Sequence, residues 1–311
     1  SDEERLNYLK TITMRTMSTA KPYEFTNTVY DEFTAKQDWT TDEYKSEVTI
    51  YEATSHEETA PYSPRKQGAG VVNAGNAIKS SVYLEGLVPD EETGSYGDEG
   101  SRIGNNFAKI ELRNNDLVKE GNLSLGFRLH NEGSTKKTYK VKLKVMAPLI
   151  NKYHNHDNEL ANYVGKDAKF EGAELQTSYD KVLEDDVNLG TVEVEKNSTA
   201  DYVLPHQVKE ETKNYLNKFK NGTFLEGYLT FEDQSEENNI DLSMPYMGFY
   251  KDYGQAQATE PFEFEKESRY DMTTGNVNGF VYGSDLINHI GANNYSRSYT
   301  NMSSMIVGVG Y

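Results

Sequence analysis

The chain has 311 residues and a mass of 35.2 kDa, which is enough for two domains, and 36% of its residues are hydrophobic. Its 32 Lys and Arg against 50 Asp and Glu give a formal net charge of -18, which excludes nucleic-acid binding as the default. No apolar stretch approaches the ~20 residues that span a bilayer, and the lack of cysteine excludes disulfides, a thiol nucleophile and thiolate metal sites. We therefore expect a soluble chain whose stability comes from packing.

The first residues predict a helix, with Ser1 as N-cap and Glu4 completing a capping box. Residues at helical spacing follow: Leu6, Leu9, Thr13, Met14 and Met17. A free amine at the cap would oppose the helix dipole, so we expect that something precedes Ser1 in the natural chain. The apolar end at residues 308–311 leads to the same expectation, that the sequence is a piece of a longer protein.

Residues 23–61 are polar and acidic and contain Trp39, a composition that predicts a surface insertion. The glycine-containing segment 67–78 predicts a tight turn and a short helix with Asn73 as N-cap. Gly68 and Gly70 invite comparison with a dinucleotide-binding loop, but Asn73 stands at the third glycine position and no apolar strand precedes it. We therefore favour a packing role for these glycines.

From residue 81 the hydrophobic period changes to 2, which predicts β-strands. Two alternating runs, with apolar residues from Leu123 to Leu129 and from Tyr139 to Val145, predict a β-hairpin joined by residues 131–135. Further predicted strands are 81–88, 107–112, 190–195, 201–204, 224–232 and 240–250. Seven or so short strands with turns between them predict a β-sandwich.

Two interruptions are expected inside the sandwich. They are an acidic, histidine-bearing loop at about residues 151–186 and a helix within residues 208–219. Beyond the sandwich, residues 251–270 have the composition of a linker, and residues 280–290 could begin a further domain.

Two groups of residues could bind metal. His154, His156 and Asp157 suit zinc or nickel, but their polar neighbours favour a solvated loop. Acidic runs offer the oxygen ligands that calcium prefers, although none has the regular alternation and glycine of a calcium loop. These runs are 90–92, 98–99, 184–186 and 232–239. Solvated turns are the favoured interpretation, with adventitious calcium as the alternative.

No pattern for hydrolytic catalysis occurs in the sequence. It contains neither a Gly-x-Ser-x-Gly elbow nor a serine in the Gly-Thr-Ser context of a subtilisin nucleophile. We accordingly assign no catalytic, cofactor-binding or metal residue and no cofactor.

Several segments resemble a known family. Residues 16–20, then 62–73 with Ser-Pro-Arg-Lys-Gln-Gly-Ala-Gly, then Ala77 and Ile78 resemble the end of the catalytic domain in cell-envelope subtilisin-like serine proteases. That family includes the lactocepins and the streptococcal peptidases that cleave complement. Residues 216–227 and 244–249 resemble the last strands of the fibronectin-type-III-like domain that follows the catalytic domain in these enzymes.

The resemblance implies a mainly β chain, in which a fibronectin-type-III-like β-sandwich follows the terminal helices of a subtilase α/β domain. Residues 1–80 would complete the catalytic domain, 81–250 would form the sandwich, and 251–311 would be a linker and the start of a further domain. Leu6, Leu9 and Met17 would pack on a sheet that this chain lacks.

The resemblance also carries expectations about function. The Asp, His and Ser of the triad would lie in an N-terminal subtilase portion, which is the expected partner, so this chain alone should be inactive. The parent would be a secreted or cell-wall-anchored endopeptidase of a Gram-positive surface that acts on a protein substrate.

Two other functions remain open from the sequence alone. One is a cell-surface adhesion or ligand-binding module without protease activity, for which the 23 tyrosines would suit a recognition surface. The other is a metal-binding surface domain built on His154 and His156.

Overall fold

A computed structural model describes residues 2–39, 47–153, 168–170, 173–219, 221–235, 239–255, 270–271 and 276–277. The described chain divides into a unit of residues 1–251 and a unit of residues 252–311. Helices are α1 Asp2–Ser18, α2 Pro64–Gln67, α3 Ala74–Lys79, α4 Asp116–Lys119 and α5 Glu210–Leu216. None of these described helices has the length and apolar character needed to cross a bilayer.

Strands dominate the described residues. In chain order they are β1 Glu24–Trp39, β2 Glu47–Pro61, β3 Val82–Gly86, β4 Ile110–Arg113, β5 Asn122–Asn131, β6 Lys137–Tyr153, β7 Ala168–Phe170, β8 Ala173–Val194, β9 Ser198–Gln207, β10 Thr223–Asp233, β11 Leu242–Tyr250, β12 Tyr270–Asp271 and β13 Asn276–Val277. In the second unit, β12 and β13 form an antiparallel pair.

Two sheets form a β-sandwich, as predicted. The larger sheet has the order β4-β11-β10-β6-β8, and the smaller sheet has the order β3-β5-β9. Their inner faces enclose a continuous apolar core in which Leu125, Leu143 and Leu229 are fully buried. The rings of Phe127 and Phe231 meet edge to face, with 4.9 Å between their centroids.

The predicted hairpin between the two alternating runs is wrong. β5 pairs with β3 and β9, whereas β6 pairs with β10 and β8, so residues 132–136 cross from one sheet to the other. Both runs bury their apolar residues as expected. The period of 2 identifies the buried face of each strand, but it does not identify the neighbouring strand. Here the two apolar faces oppose each other across the core.

Residues 23–61 contain a long antiparallel hairpin. β1 and β2 pair from Glu24 opposite Pro61 to Trp39 opposite Glu47, and β7 pairs with the other edge of β1. Along β1, the half-buried Phe25 and Val29 alternate with the exposed Thr26 and Thr28. Few of the half-buried residues are aliphatic, which is why composition indicated only a polar stretch. That this stretch is an insertion stays a prediction.

The N-terminal segment, residues 2–79, lies partly over the outer face of the larger sheet. Pro61 and Ser63 are buried there, as are Glu226 and Tyr228 on the sheet itself. A backbone bridge between Lys21 and Val71 ties two stretches of the segment together. The segment thus adds a third layer to the sandwich. The helix expected within residues 208–219 is present as α5.

Candidate docking site

The C-terminal half of α1 is anchored on the sandwich. Met14 and Ser18 are buried, and the Ser18 hydroxyl accepts a hydrogen bond of 2.9 Å from the backbone N–H of Leu84 in β3. Met17 packs against the sandwich core. The expectation that Met17 needs a sheet from outside this chain is therefore wrong, because the sandwich itself receives it.

Arg15 forms a second anchor at the same end of α1. Its Nη1 donates to the carbonyl oxygen of Ser80 at 3.2 Å, and its Nη2 pairs with Glu132. The guanidinium also lies over the Tyr83 ring, 5.5 Å from its centroid. Burial raises the pKa of Tyr83 above its usual value of 10.0, so this phenol is neutral at physiological pH. These contacts hold the end of α1 in one position.

The N-terminal half of α1 exposes apolar side chains. Leu6 and Leu9 are exposed. That they pack on another protein layer stays a prediction. Tyr8 and Ile12, one turn apart, line a groove of about 570 Å³ between α1 and α3. Sequence reasoning did not single out Tyr8 and Ile12, although their i,i+4 spacing is a signal that could have found them.

α3 and the turn before it supply the other wall of the groove. Asn73 caps α3, as predicted, because its Oδ1 accepts from the backbone N–H of Asn76 at 3.0 Å. Val72 and Ile78 line the groove, and Ile78 is 81% exposed. We call the four large apolar side chains that are exposed in this groove the docking face. They are Tyr8, Ile12, Val72 and Ile78.

One polar atom near this groove favours a particular kind of partner. The Nε of Arg15 is buried and has no hydrogen-bond partner within the described part of the chain. A donor in this position favours a partner that brings an acceptor together with its apolar surface. The arrangement can bind a protein surface, and it contains no nucleophile paired with a general base.

A buried ionic cluster fixes the Ser-Pro-Arg-Lys stretch to the larger sheet. Arg65 donates from Nη2 and Nε to the Glu226 carboxylate at 2.8 and 3.0 Å, and the Ser63 hydroxyl donates to the same carboxylate at 2.9 Å. Lys66 Nζ lies 3.0 Å from Asp180 Oδ2. Burial raises the pKa of the nearby Tyr228 phenol, whose hydroxyl donates to the carbonyl oxygen of Tyr62 at 3.0 Å.

Gly68 and Gly70, which the sequence analysis compared with a dinucleotide-binding loop, adopt backbone conformations that favour glycine. Gly68 and Gly70 both have positive φ, of 61° and 109°. A Cβ on Gly70 would collide with the backbone carbonyl of Lys21. The structure therefore supports the packing role at Gly70, whereas Gly68 has open space around it and only its positive φ favours glycine.

The described structure includes only some of the candidate metal residues. His154, His156 and Asp157 lie outside the described residues. Within the described ranges no group of three or more His, Asp and Glu is arranged to hold a metal ion. In one acidic run, the buried Glu184 accepts hydrogen bonds from the Lys209 backbone N–H at 2.7 Å and from Thr212 Oγ1 at 2.8 Å.

Comparison with known proteins bears on the sandwich first. A family model described as the Fn3-like domain matches residues 111–247. This part of the chain, which contains most of the β-sandwich, is thus similar to an Fn3-like domain. Its limits lie within the predicted sandwich of residues 81–250 and leave α1, the docking face and the Ser-Pro-Arg-Lys stretch outside.

The chain is also similar to streptococcal peptidases. C5a peptidase of Streptococcus pyogenes serotype M1 is 26% identical over 204 residues, which cover 66% of this chain and 14% of that protein. C5a peptidase of serotype M18, strain MGAS8232, is 24% identical over the same shares. These matches confirm the resemblance to this family, and the match spans about one seventh of the length of these curated relatives.

One solved structure aligns with the chain only weakly. The native conformation of E. coli alpha-2-macroglobulin aligns with 79% of this chain and 16% of its own, at 10% identity and a TM-score of 0.23. This likeness is too weak to support any inference about the chain.

Proposed function

We propose that this chain is a non-catalytic part of a secreted or cell-wall-anchored subtilisin-like serine endopeptidase of a Gram-positive surface. In this role an N-terminal subtilase portion, which carries the Asp, His and Ser of the triad, covers the docking face. Residues 1–80 complete the catalytic domain. The Fn3-like sandwich supports that domain and helps to place a protein substrate.

The observation that carries the proposal is the docking face, which no described residue covers and which lies partly on the firmly anchored α1. Burying an aliphatic or aromatic side chain contributes about 1.5 to 3 kcal/mol, so covering four of them favours association strongly. Because Arg15 and Ser18 already fix α1, a partner would meet a face whose shape is largely formed. The much greater length of the C5a peptidases supports a partner that is part of the same polypeptide.

The proposal can be tested with a chimera. The segment of serotype M1 C5a peptidase that matches this chain is replaced by this chain, and casein hydrolysis is measured with and without a serine-protease inhibitor. We expect inhibitor-sensitive activity from the chimera. We expect Ile12→Asp and Ile78→Asp, each of which places a charge in the docking face, to reduce it strongly.

Two controls define the outcome. Ile103→Asp changes an isoleucine whose exposure lies between those of Ile12 and Ile78 and which is not part of α1 or α3, and it should leave the chimera active. The purified 311-residue chain should hydrolyse no casein. Inhibitor-sensitive cleavage by that chain alone would show that the assignment of roles is wrong.

A further inference from the structure

A second cleft lies between the N-terminal segment and the outer face of the larger sheet. Its volume is about 450 Å³, within the range of about 300 to 1,000 Å³ that small-molecule sites occupy. Thr230 of β10 and Ser243 of β11, which pair in register, line it from the sheet. Lys21 and Asn76 line it from the N-terminal segment. We call it the Ser243 cleft.

The Ser243 hydroxyl is an unpartnered buried group. Ser243 is 8% exposed, and its Oγ has no hydrogen-bond partner among the described residues. Its neighbours in β11, Leu242 and Met244, belong to the apolar core, and the alternation of the strand directs Ser243 to the opposite face. Leaving a buried hydroxyl without a partner is unfavourable, so the cleft favours an occupant that bonds to it.

Other polar groups in the Ser243 cleft are also available. The side chains of Lys21, Asn76 and Thr230 make no hydrogen bond within the described ranges. One oxygen of Asp241 accepts from the Asp233 backbone N–H at 2.9 Å, which leaves the other oxygen for an occupant. Donors and acceptors are thus both present.

The charges and apolar residues of the cleft narrow the choice of ligand. The Lys144 ammonium forms an ion pair with Asp185 at 2.7 Å. The other cation of the lining is Lys21, and its charge is offset by the carboxylates of Glu24 and Asp241, which also line the cleft. No positive surplus is left for an anion. Pro22 and Ile240 add apolar surface to the lining.

We propose that the Ser243 cleft binds a small polyhydroxylated molecule, such as one saccharide unit. A sugar hydroxyl donates and accepts at once, so it matches a lining of amides, hydroxyls and single carboxylate oxygens. The C–H face of a sugar ring would pack on Pro22 and Ile240. This site shares no lining residue with the docking face, although α3 contributes to both, and it does not depend on the proposed function.

The test is calorimetric titration of the full chain with methyl glucoside, methyl galactoside and N-acetylglucosamine. We expect at least one of these sugars to bind. Ser243→Ala and Asn76→Ala should each weaken that binding by about three- to ten-fold, the effect of losing one hydrogen bond. Ser134→Ala, at an exposed serine outside the cleft, should bind as the parent chain does.

Thermal unfolding at the same temperature as the parent chain would show that each variant is folded. Asn76 is half-exposed and lies on α3, so its variant does not alter the sheet. No binding by any of the three sugars would overturn the proposal. Equal affinities of the parent chain, Ser243→Ala and Asn76→Ala would overturn it too. Ile12→Asp in the docking face should leave sugar binding unchanged, which separates this result from the test of the proposed function.

Discussion

The sandwich and the N-terminal segment are held in place by different forces. The two sheets of the sandwich enclose their own apolar core, in which Phe127 and Leu229 are fully buried. The N-terminal segment buries Met14 and packs Met17 against the sandwich core. Much of its attachment is polar, however, as in the Arg65–Glu226 pair and the hydrogen bond between Leu84 and Ser18. The sandwich is complete within this chain, whereas the segment presents apolar surface that the described residues do not cover.

Truncating the same kind of side chain in the two regions should give opposite results. Phe127→Ala removes a ring that packs on Phe231 and should lower the free energy of unfolding by about 3 to 5 kcal/mol. Ile78→Ala removes an exposed side chain and should change it by no more than about 0.5 kcal/mol. Urea unfolding followed by circular dichroism measures both. A large loss from Ile78→Ala would mean that the docking face already has a partner within the chain.

The ionic cluster tests how the segment is attached. Arg65→Met leaves the fully buried Glu226 carboxylate without its cation and should cost about 3 kcal/mol. Arg5→Met, at an exposed arginine of α1, is the matched control and should have little effect. The double variant Arg65→Met with Glu226→Leu should recover part of the loss, because no unpaired buried charge remains. If Arg65→Met unfolds like the parent chain in urea, the cluster does not hold the segment.

How far sequence predicted the structure also differs between the two regions. The alternation in Leu123 to Leu129 identified a strand and its buried face, because a period of 2 follows directly from strand geometry. It could not identify the neighbour of β5, since pairing depends on the path of the whole chain. The predicted hairpin was wrong for that reason.

For the N-terminal segment the sequence predicted the helix and the exposed Leu6 and Leu9. It did not predict that Met17 would find the core of the sandwich. It also missed Glu226 as the partner of Arg65, because 161 residues separate them along the chain. Contacts between such distant positions carry no local pattern of spacing.

In the smaller sheet, the contribution of Glu85 to the free energy of unfolding should depend on pH. Burial raises the pKa of Glu85, but hydrogen bonds from His130 and from the Asn106 backbone N–H, with the charge of Arg128, outweigh it and lower the pKa below 4.5. A lowered folded-state pKa gives stability that is present above pH 4.5 and is lost as pH falls through the folded value.

Glu85→Gln should therefore unfold more easily than the parent chain at pH 7, and the difference should shrink as pH falls below about 4.5. Urea unfolding at pH 7, 5, 4 and 3 measures this. Glu99→Gln, at an exposed glutamate in a turn, is the control. A stability difference that stays constant from pH 7 to pH 3 would show that the charge of Glu85 is not what the fold uses.

The smallest expected difference compares one helix cap from each region. Asn115 caps α4 inside the sandwich, where it is 1% exposed and its side chain accepts from two backbone N–H groups and donates to Leu112. Asn73 caps α3 at the surface through one hydrogen bond. Asn115→Ala should cost about 2 kcal/mol and Asn73→Ala about 0.5 to 1 kcal/mol in urea unfolding, since only the first leaves buried groups unsatisfied. Equal costs would mean that α3 is integrated into the core as firmly as α4, and the contrast between the two regions would then be false.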